Sequence, residues 1–142
     1  ISLPVEAYLP DEYVPDSRQK VSLYKKIAGL ETAADRTDLE AEISDRYGKI
    51  PDPVEMLLEI AQLKQLSKEL GVETIAAGDE QIKITFDGTT ARVDPTRLIQ
   101  LVRQDRRLRL LPPARLMVNM QGLAGNSLVL AIKAILRRLI EK

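Results

Sequence analysis

The sequence predicts an α+β fold: an N-terminal extended arm and three helices, then a small antiparallel meander, further strands and a C-terminal helix. Three observations predict it. Apolar residues recur at helical spacing as far as Leu70, they alternate from Val72 onward, and a helical stripe returns after Gly125. Helices grouped ahead of strands favour α+β over the alternating order of a parallel sheet. At 142 residues the chain is most simply one domain over 1–142. It reads as an extended arm over about 1–14, a helical part over about 15–71 and a mixed strand and helix part over about 72–142. A chain of this size can bury roughly 68% of its extended-chain surface without cross-links.

Residues 1–16 carry prolines at 4, 10 and 15. Proline fixes its own φ and pushes its predecessor towards extended geometry, so this segment is an arm or strand. Pro4 lacks a donor, which confines any strand there to a sheet edge. Pro15 is expected to open a helix carrying Val21, Tyr24 and Ile27, with Leu23 beside them, ending near Gly29. A second, acidic helix follows, capped by Asp35 or Thr37, with Leu39, Ile43 and Tyr47 as its buried stripe.

The third helix is the spine of the predicted core. Asp52 before Pro53 is a start signal, because a short carboxylate accepts from free N–H groups and proline loses nothing at the first helical position. Val54, Leu57, Leu58 and Ala61 make one apolar face; Met56, Ile60, Leu63, Leu66 and Leu70 widen it well beyond a single stripe. Such a helix is normally covered on two sides. It spans roughly 27 Å at 1.5 Å per residue, and Gly71 is its natural stop.

Beyond Gly71, Val72–Ala77 reads as one strand, Ile82, Ile84 and Phe86 as one side of a second, and Ala91 with Val93 as a third. Gly78-Asp79-Glu80-Gln81 and Asp87-Gly88-Thr89 are the turns. Asp94-Pro95 restarts a helix with apolar positions Leu98, Ile99, Leu101 and Val102, ending near Gln104. Leu108 and Leu110, then Leu116, Val118 and Met120, read as two strands broken by Pro112-Pro113. Asn126 or Ser127 caps the last helix, whose stripe is Leu128, Ile132, Ile135, Leu136 and Leu139, with Lys133, Arg137 and Arg138 outside.

Composition removes much chemistry. The chain has no cysteine and no histidine, hence no disulfide framework, no thiolate metal site and no imidazole base. The Gly-x-x-x-x-Gly-Lys-Ser/Thr phosphate cradle, the Gly-x-Ser-x-Gly elbow and the Gly-x-Gly-x-x-Gly fingerprint are all missing. Gly122 and Gly125 read as a turn and cap, and Asp79 with Glu80 as turn chemistry. No uncharged apolar run reaches the length of a membrane span, and the start does not resemble a signal peptide, so a cytoplasmic protein with no membrane partner is expected. The start at Ile1, without an initiator methionine, points to a segment of a longer polypeptide.

Lysine plus arginine and aspartate plus glutamate are 21 each, but the balance is uneven along the chain. Residues 31–59 hold nine acids against three cations, a net of minus six; residues 92–115 hold seven arginines against two aspartates, a net of plus five. Asp38, Glu42 and Asp45 share one face of the second helix and repel one another unless a cation sits opposite. They are either a solvated face with Arg46 or Lys49 nearby, or a contact site for a basic partner. Arg103, Arg106, Arg107 and Arg109 are the candidates for phosphate contact, but no aromatic residue lies near them to stack a base.

The residues also resemble a family. Tyr8-x-Pro10, Tyr13-Val14-Pro15-Asp16 with Arg18, and Leu23-Tyr24-Lys25-Lys26-Ile27 are similar to the opening of the C-terminal domain of bacterial transcription-repair coupling factors. Asp45-Arg46-Tyr47-Gly48, Pro51, Pro53, Leu57-Leu58 and Leu70-Gly71 resemble a second block of that domain. The match in order and spacing covers about the first half of the chain; the meander and last helix agree in pattern alone.

The resemblance implies a parent that is an ATP-dependent DNA translocase, which displaces stalled RNA polymerase and recruits the excision-repair protein UvrA. ATP and magnesium would then be held by other domains, and none by this one. It implies a non-catalytic regulatory domain that masks the UvrA-binding surface of a UvrB-like domain in the same polypeptide. Asp38, Glu42 and Asp45 are the expected contacts to that domain. The rival from a different class is a nucleic-acid-binding accessory domain using the 92–115 arginine cluster.

Overall fold

The computed structural model describes residues 2–78, 80–87, 93–111 and 114–140, in two compact units: Val5–Gln65, and Ile1–Pro4 with Leu66–Lys142. The first unit is the arm followed by α1 (Ser17–Ala28), α2 (Ala33–Tyr47) and most of α3 (Asp52–Leu70). Asp16 caps α1 by accepting from the N–H groups of Arg18 and Gln19, so the carboxylate sets the start and Pro15 stays one step outside. The stripe that α1 buries is Leu23 and Ile27, continued by Leu30. Val21 and Tyr24, expected on that face, are exposed. Tyr24 keeps a polar task at the rim, where its hydroxyl accepts from the Leu9 N–H at 2.9 Å.

The cap of α2 is neither Asp35 nor Thr37 but Thr32. Its hydroxyl accepts from the Asp35 N–H while the Asp35 carboxylate accepts from the Thr32 N–H, a reciprocal capping box that starts the helix at Ala33. Leu39 and Ile43 are buried and Tyr47 is half-buried, as their spacing predicts. Gly48, at φ 89°, then turns the chain out of the helix in a conformation that side chains resist. Helix α3 takes Asp52 as its first residue, with the Pro51 carbonyl accepting from both Val54 and Glu55. Val54 and Leu58 are buried on one face, and Met56, Leu63, Ser67 and Leu70 nearly opposite, which is the two-sided cover its composition requires. Val54 and Leu58 join Leu9, Val14, Leu23, Ile27, Leu30, Leu39 and Ile43 in one core cluster. Each leucine so buried stabilises the fold by about 1.5–3 kcal/mol. Gly71 (φ 72°) ends α3.

The second unit is a four-stranded sheet with two helices. The strands are β1 (Val72–Ala77), β2 (Gln81–Phe86), β3 (Leu108–Leu111) and β4 (Arg115–Asn119), in the order β1-β2-β4-β3 and antiparallel throughout. The meander is therefore not continuous. β4 takes the free edge of β2, the place expected for a third strand over 91–93. Ala91 lies outside the described residues, and Val93 is in no strand. Asp79, Gly88, Thr89, Arg92, Pro112 and Pro113 also lie outside the described residues. Ser2 of the arm is bridged in parallel to the outer edge of β1, and Pro4 is in no strand. Alternation holds across the sheet: Ile75, Ile82, Ile84, Phe86, Leu108, Leu116 and Val118 are buried, leaving the other face open.

Asp94 caps α4 (Pro95–Gln104) by accepting from the Thr96 N–H, with Pro95 at the first position. Of its four apolar residues Leu101 is buried, whereas Ile99 points to solvent. Helix α5 (Gly125–Ile140) starts at Gly125 itself, so Asn126 and Ser127 sit in its first turn rather than capping it. Its stripe of Leu128, Val129, Ile132, Ile135, Leu136 and Leu139 is buried. Lys133, expected outside, is also buried. It lies between Val129 and Leu136 on the helix surface, where a methylene stem can cover apolar neighbours.

Candidate functional site

Helix α2 carries Asp38, Glu42 and Asp45 on one side, as their spacing of four and three dictates. The three are not equivalent. Lys26 reaches across from α1 and places Nζ 2.7 Å from Oε1 of Glu42. That hydrogen bond holds the Glu42 carboxyl below its ordinary pKa. Asp38 and Asp45 are exposed, and neither forms an ion pair among the described residues.

Beside this acidic face, α1 and α2 enclose a groove of about 250 Å³ lined by Arg18, Gln19, Ser22, Lys26, Glu42, Arg46 and Tyr47, with Leu23 and Ile43 among its walls. Its end is pinned by aromatic residues. The Tyr47 hydroxyl donates to Gln19 Oε1 at 3.2 Å, and the Arg46 guanidinium lies 5.5 Å from the centroid of the Tyr47 ring. Tyr13 packs against Tyr47 with centroids 5.7 Å apart and donates its hydroxyl to the Gly48 carbonyl at 2.8 Å. Burial, with the Glu55 charge adding to it, raises the Tyr13 pKa and keeps that hydroxyl a donor.

Arg36 removes much of the remaining acidity. Its guanidinium meets Glu40 at 2.5 Å, Glu59 at 2.7 Å and Glu55 at 3.1 Å, and also donates to Gln62 at 2.6 Å. The Arg36 side chain is only 13% exposed, so this clamp ties α2 to α3 from the inside. With Asp35 used in the capping box, the nine acids of 31–59 reduce to Glu31, Asp38, Asp45 and Asp52 without an ion pair among the described residues. Sequence reasoning missed both Lys26 and Arg36. Arg36 left a signal, as the first of only three cations in an acidic stretch; Lys26 left none, because α1 and α2 meet only in the fold.

The arginine candidates are more scattered than their sequence proximity implies. Arg103 sits in the last turn of α4, whereas Arg106 and Arg107 lie in the turn before β3, which carries Arg109. Arg106, Arg107 and Arg109 line a shallow depression of about 200 Å³ that Arg103 does not line. Arg107 is already held by Asp105, with Nη2 2.8 Å from Oδ2 and Nε 3.1 Å from Oδ1. No cluster of carboxylates suited to a metal ion occurs among the described residues, and no described helix is long and apolar enough to cross a membrane.

The TRCF domain family matches residues 3–98. The transcription-repair-coupling factor of Haemophilus influenzae is 39% identical over 74% of this chain, and that of Myxococcus xanthus 33% identical over 98%. The Escherichia coli protein of the same name is 34% identical over 82% of the chain. The chain spans only 9–12% of the length of these relatives. A crystal structure of the C-terminal domain of a transcription-repair coupling factor superposes with a TM-score of 0.87 at 26% identity, covering 98% of this chain and 89% of that one.

Proposed function

The chain belongs to the TRCF domain family, and on that premise we propose that it is the regulatory C-terminal domain of a cytoplasmic transcription-repair coupling factor. The parent would be an ATP-dependent translocase that displaces stalled RNA polymerase from DNA and recruits UvrA, holding ATP and magnesium in other domains. This domain would be non-catalytic. Its task would be to cover the UvrA-binding surface of a UvrB-like domain in the same polypeptide until polymerase engagement releases it.

One observation carries the assignment of the contact: Asp38 and Asp45 present two exposed carboxylates on α2 that no cation of the described residues neutralises. Glu42 between them is engaged by Lys26, yet both partners remain near half-exposed, at 47% and 42%, and can exchange for a partner's cation. Exposed pairs are each worth about 0.2–1 kcal/mol, so a latch of two or three is reversible. Its breakage shifts a population between masked and unmasked states by about tenfold per 1.4 kcal/mol. Interfaces between domains of one chain are commonly modest and polar, which suits such a contact.

The test is a double reversal, Asp38→Lys with Asp45→Lys, in the full-length coupling factor that carries this domain. Glu42 is left intact because its reversal would confront Lys26 and disturb α1. UvrA capture in a pull-down should rise while the circular dichroism of the domain stays unchanged. UvrA capture equal to that of the parent protein overturns the latch.

A further inference from the structure

We infer that the open face of the β-sheet is a contact surface for a nucleic-acid phosphate backbone, bound without regard to base sequence. The register across β3, β4 and β2 aligns Arg109, Met117 and Lys83 in one row. Two strand spacings put the first and last of these roughly 10 Å apart. Arg115 lies two residues along β4 from Met117 on the same face, roughly 7 Å away. Three exposed cations therefore surround one half-buried methionine. None of the three forms an ion pair among the described residues. At the end of this face Gln81 and Asn119 pair in register and, with Arg106 and Arg109, line the shallow depression. The Asn119 amide oxygen accepts from the Gln121 N–H at 3.0 Å, which leaves its nitrogen to donate outward.

The chemistry of the face selects the occupant. Protein partners are anchored by apolar or aromatic side chains at the centre of an interface. Here the centre is Met117, with Leu111 beside Arg115 at the end of β3, and cations and amides make up the rest of its surroundings. A phosphate backbone asks only for cations and polar donors spread over several ångströms. The face carries no aromatic side chain: Phe86 is on the buried side and every tyrosine lies at or before Tyr47. Stacking of splayed bases is thus not offered, and backbone contact to a duplex is.

The test is a salt series with this 142-residue chain and a labelled mixed-sequence duplex of about 20 base pairs, read by fluorescence anisotropy. Three phosphate contacts give a slope of about −2.7 in log affinity against log salt, which is about a 40-fold loss between roughly 50 and 200 mM. Lys83→Gln, Arg109→Gln and Arg115→Gln should each make the slope shallower by about 0.9, and the triple substitution should abolish binding. Arg18→Gln, in the other unit, should change nothing. Absence of salt-dependent binding, or a slope that survives the triple substitution, overturns the inference. So does capture of polyglutamate but not duplex through the same three residues, which would assign the face to an acidic protein. All three substituted side chains belong to exposed residues, so the variants fold, and unchanged circular dichroism verifies it.

Discussion

The acidic stretch over 31–59 and the basic stretch over 92–115 are near mirror images in sequence, net minus six and net plus five. Their charges are used in opposite ways. Four of the nine acids are in ion pairs and a fifth sits in a capping box, whereas of the six described arginines only Arg107 is paired. The cause is local architecture. The acids lie on packed helices, where Arg36 and Lys26 are within reach of several carboxylates. The arginines lie on two strands, a turn and a short helix, and on the strands alternation turns their side chains outward. Charge density in a sequence therefore overstates the acidic surface and describes the basic one fairly.

The sharpest way to break this contrast is to remove the clamp. Arg36→Met keeps the stem and deletes the guanidinium, leaving Glu40, Glu55 and Glu59 facing one another. Removing one partner of a fully buried pair costs about 3–5 kcal/mol; here Glu40 and Glu55 still reach water, so about 2–3 kcal/mol is expected. A urea titration followed by circular dichroism should show the midpoint falling by about 1 M or more. A loss below about 0.5 kcal/mol would mean that the acids over 31–59 are as uncommitted as the arginines, and the contrast would fail.

Much of this arrangement was legible in the sequence, for identifiable reasons. Asp94-Pro95 and the apolar spacing of α3 act over one or two turns, and the alternation of Ile82, Ile84 and Phe86 acts within one strand, so each is visible locally. The cap of α2 was misread because Asp35 is equally suited to the cap and to its third-residue partner; only the Thr32 hydroxyl decides between them. The β4-next-to-β2 pairing is non-local and left no trace in the alternation of either strand. For the candidate site, the grouping of Asp38, Glu42 and Asp45 followed from helical spacing, but the distinction between Glu42 and its two neighbours depends on Lys26, sixteen residues away. Lys83 carries no signal in the sequence because it lies outside the arginine cluster, and only the sheet register brings it beside Arg109 and Arg115.

A smaller effect sharpens the contrast from inside the clamp. Burial, and the nearby Glu40 charge, push the Glu55 pKa above its ordinary 4.5, with Arg36 opposing. A carboxyl whose folded pKa is raised binds its proton more tightly in the native state. Its contribution to stability is therefore full below about 4.5, the unfolded value, and is lost as pH rises through the folded value. Glu55→Gln keeps an acceptor for Arg36 and removes the charge. At pH 7 it should raise the urea midpoint by less than about 1 kcal/mol equivalent, because Glu55 is partly solvated, and the gain should vanish in acid. A destabilised variant at neutral pH would mean that the Arg36 attraction outweighs the crowding of carboxylates around it.

The smallest expected effect tests the one arginine that breaks the pattern of the basic region. The hydrogen bonds from Arg107 hold the Asp105 carboxyl below its ordinary pKa, so this pair contributes stability above the unfolded value that is lost as pH falls through the depressed one. Asp105→Asn retains an oxygen for the Arg107 N–H, which Oδ1 now accepts at 3.0 Å, and dismisses only the charge. Arg107 is nearly half-exposed, so the stability change should stay below about 0.5 kcal/mol. The released guanidinium lines the same depression as Arg106 and Arg109. It should then add one phosphate contact, steepening the duplex salt slope by about 0.9 while leaving UvrA capture untouched. An unchanged slope would show that Arg107 points away from the phosphate path even when free, confining that path to Lys83, Arg109 and Arg115.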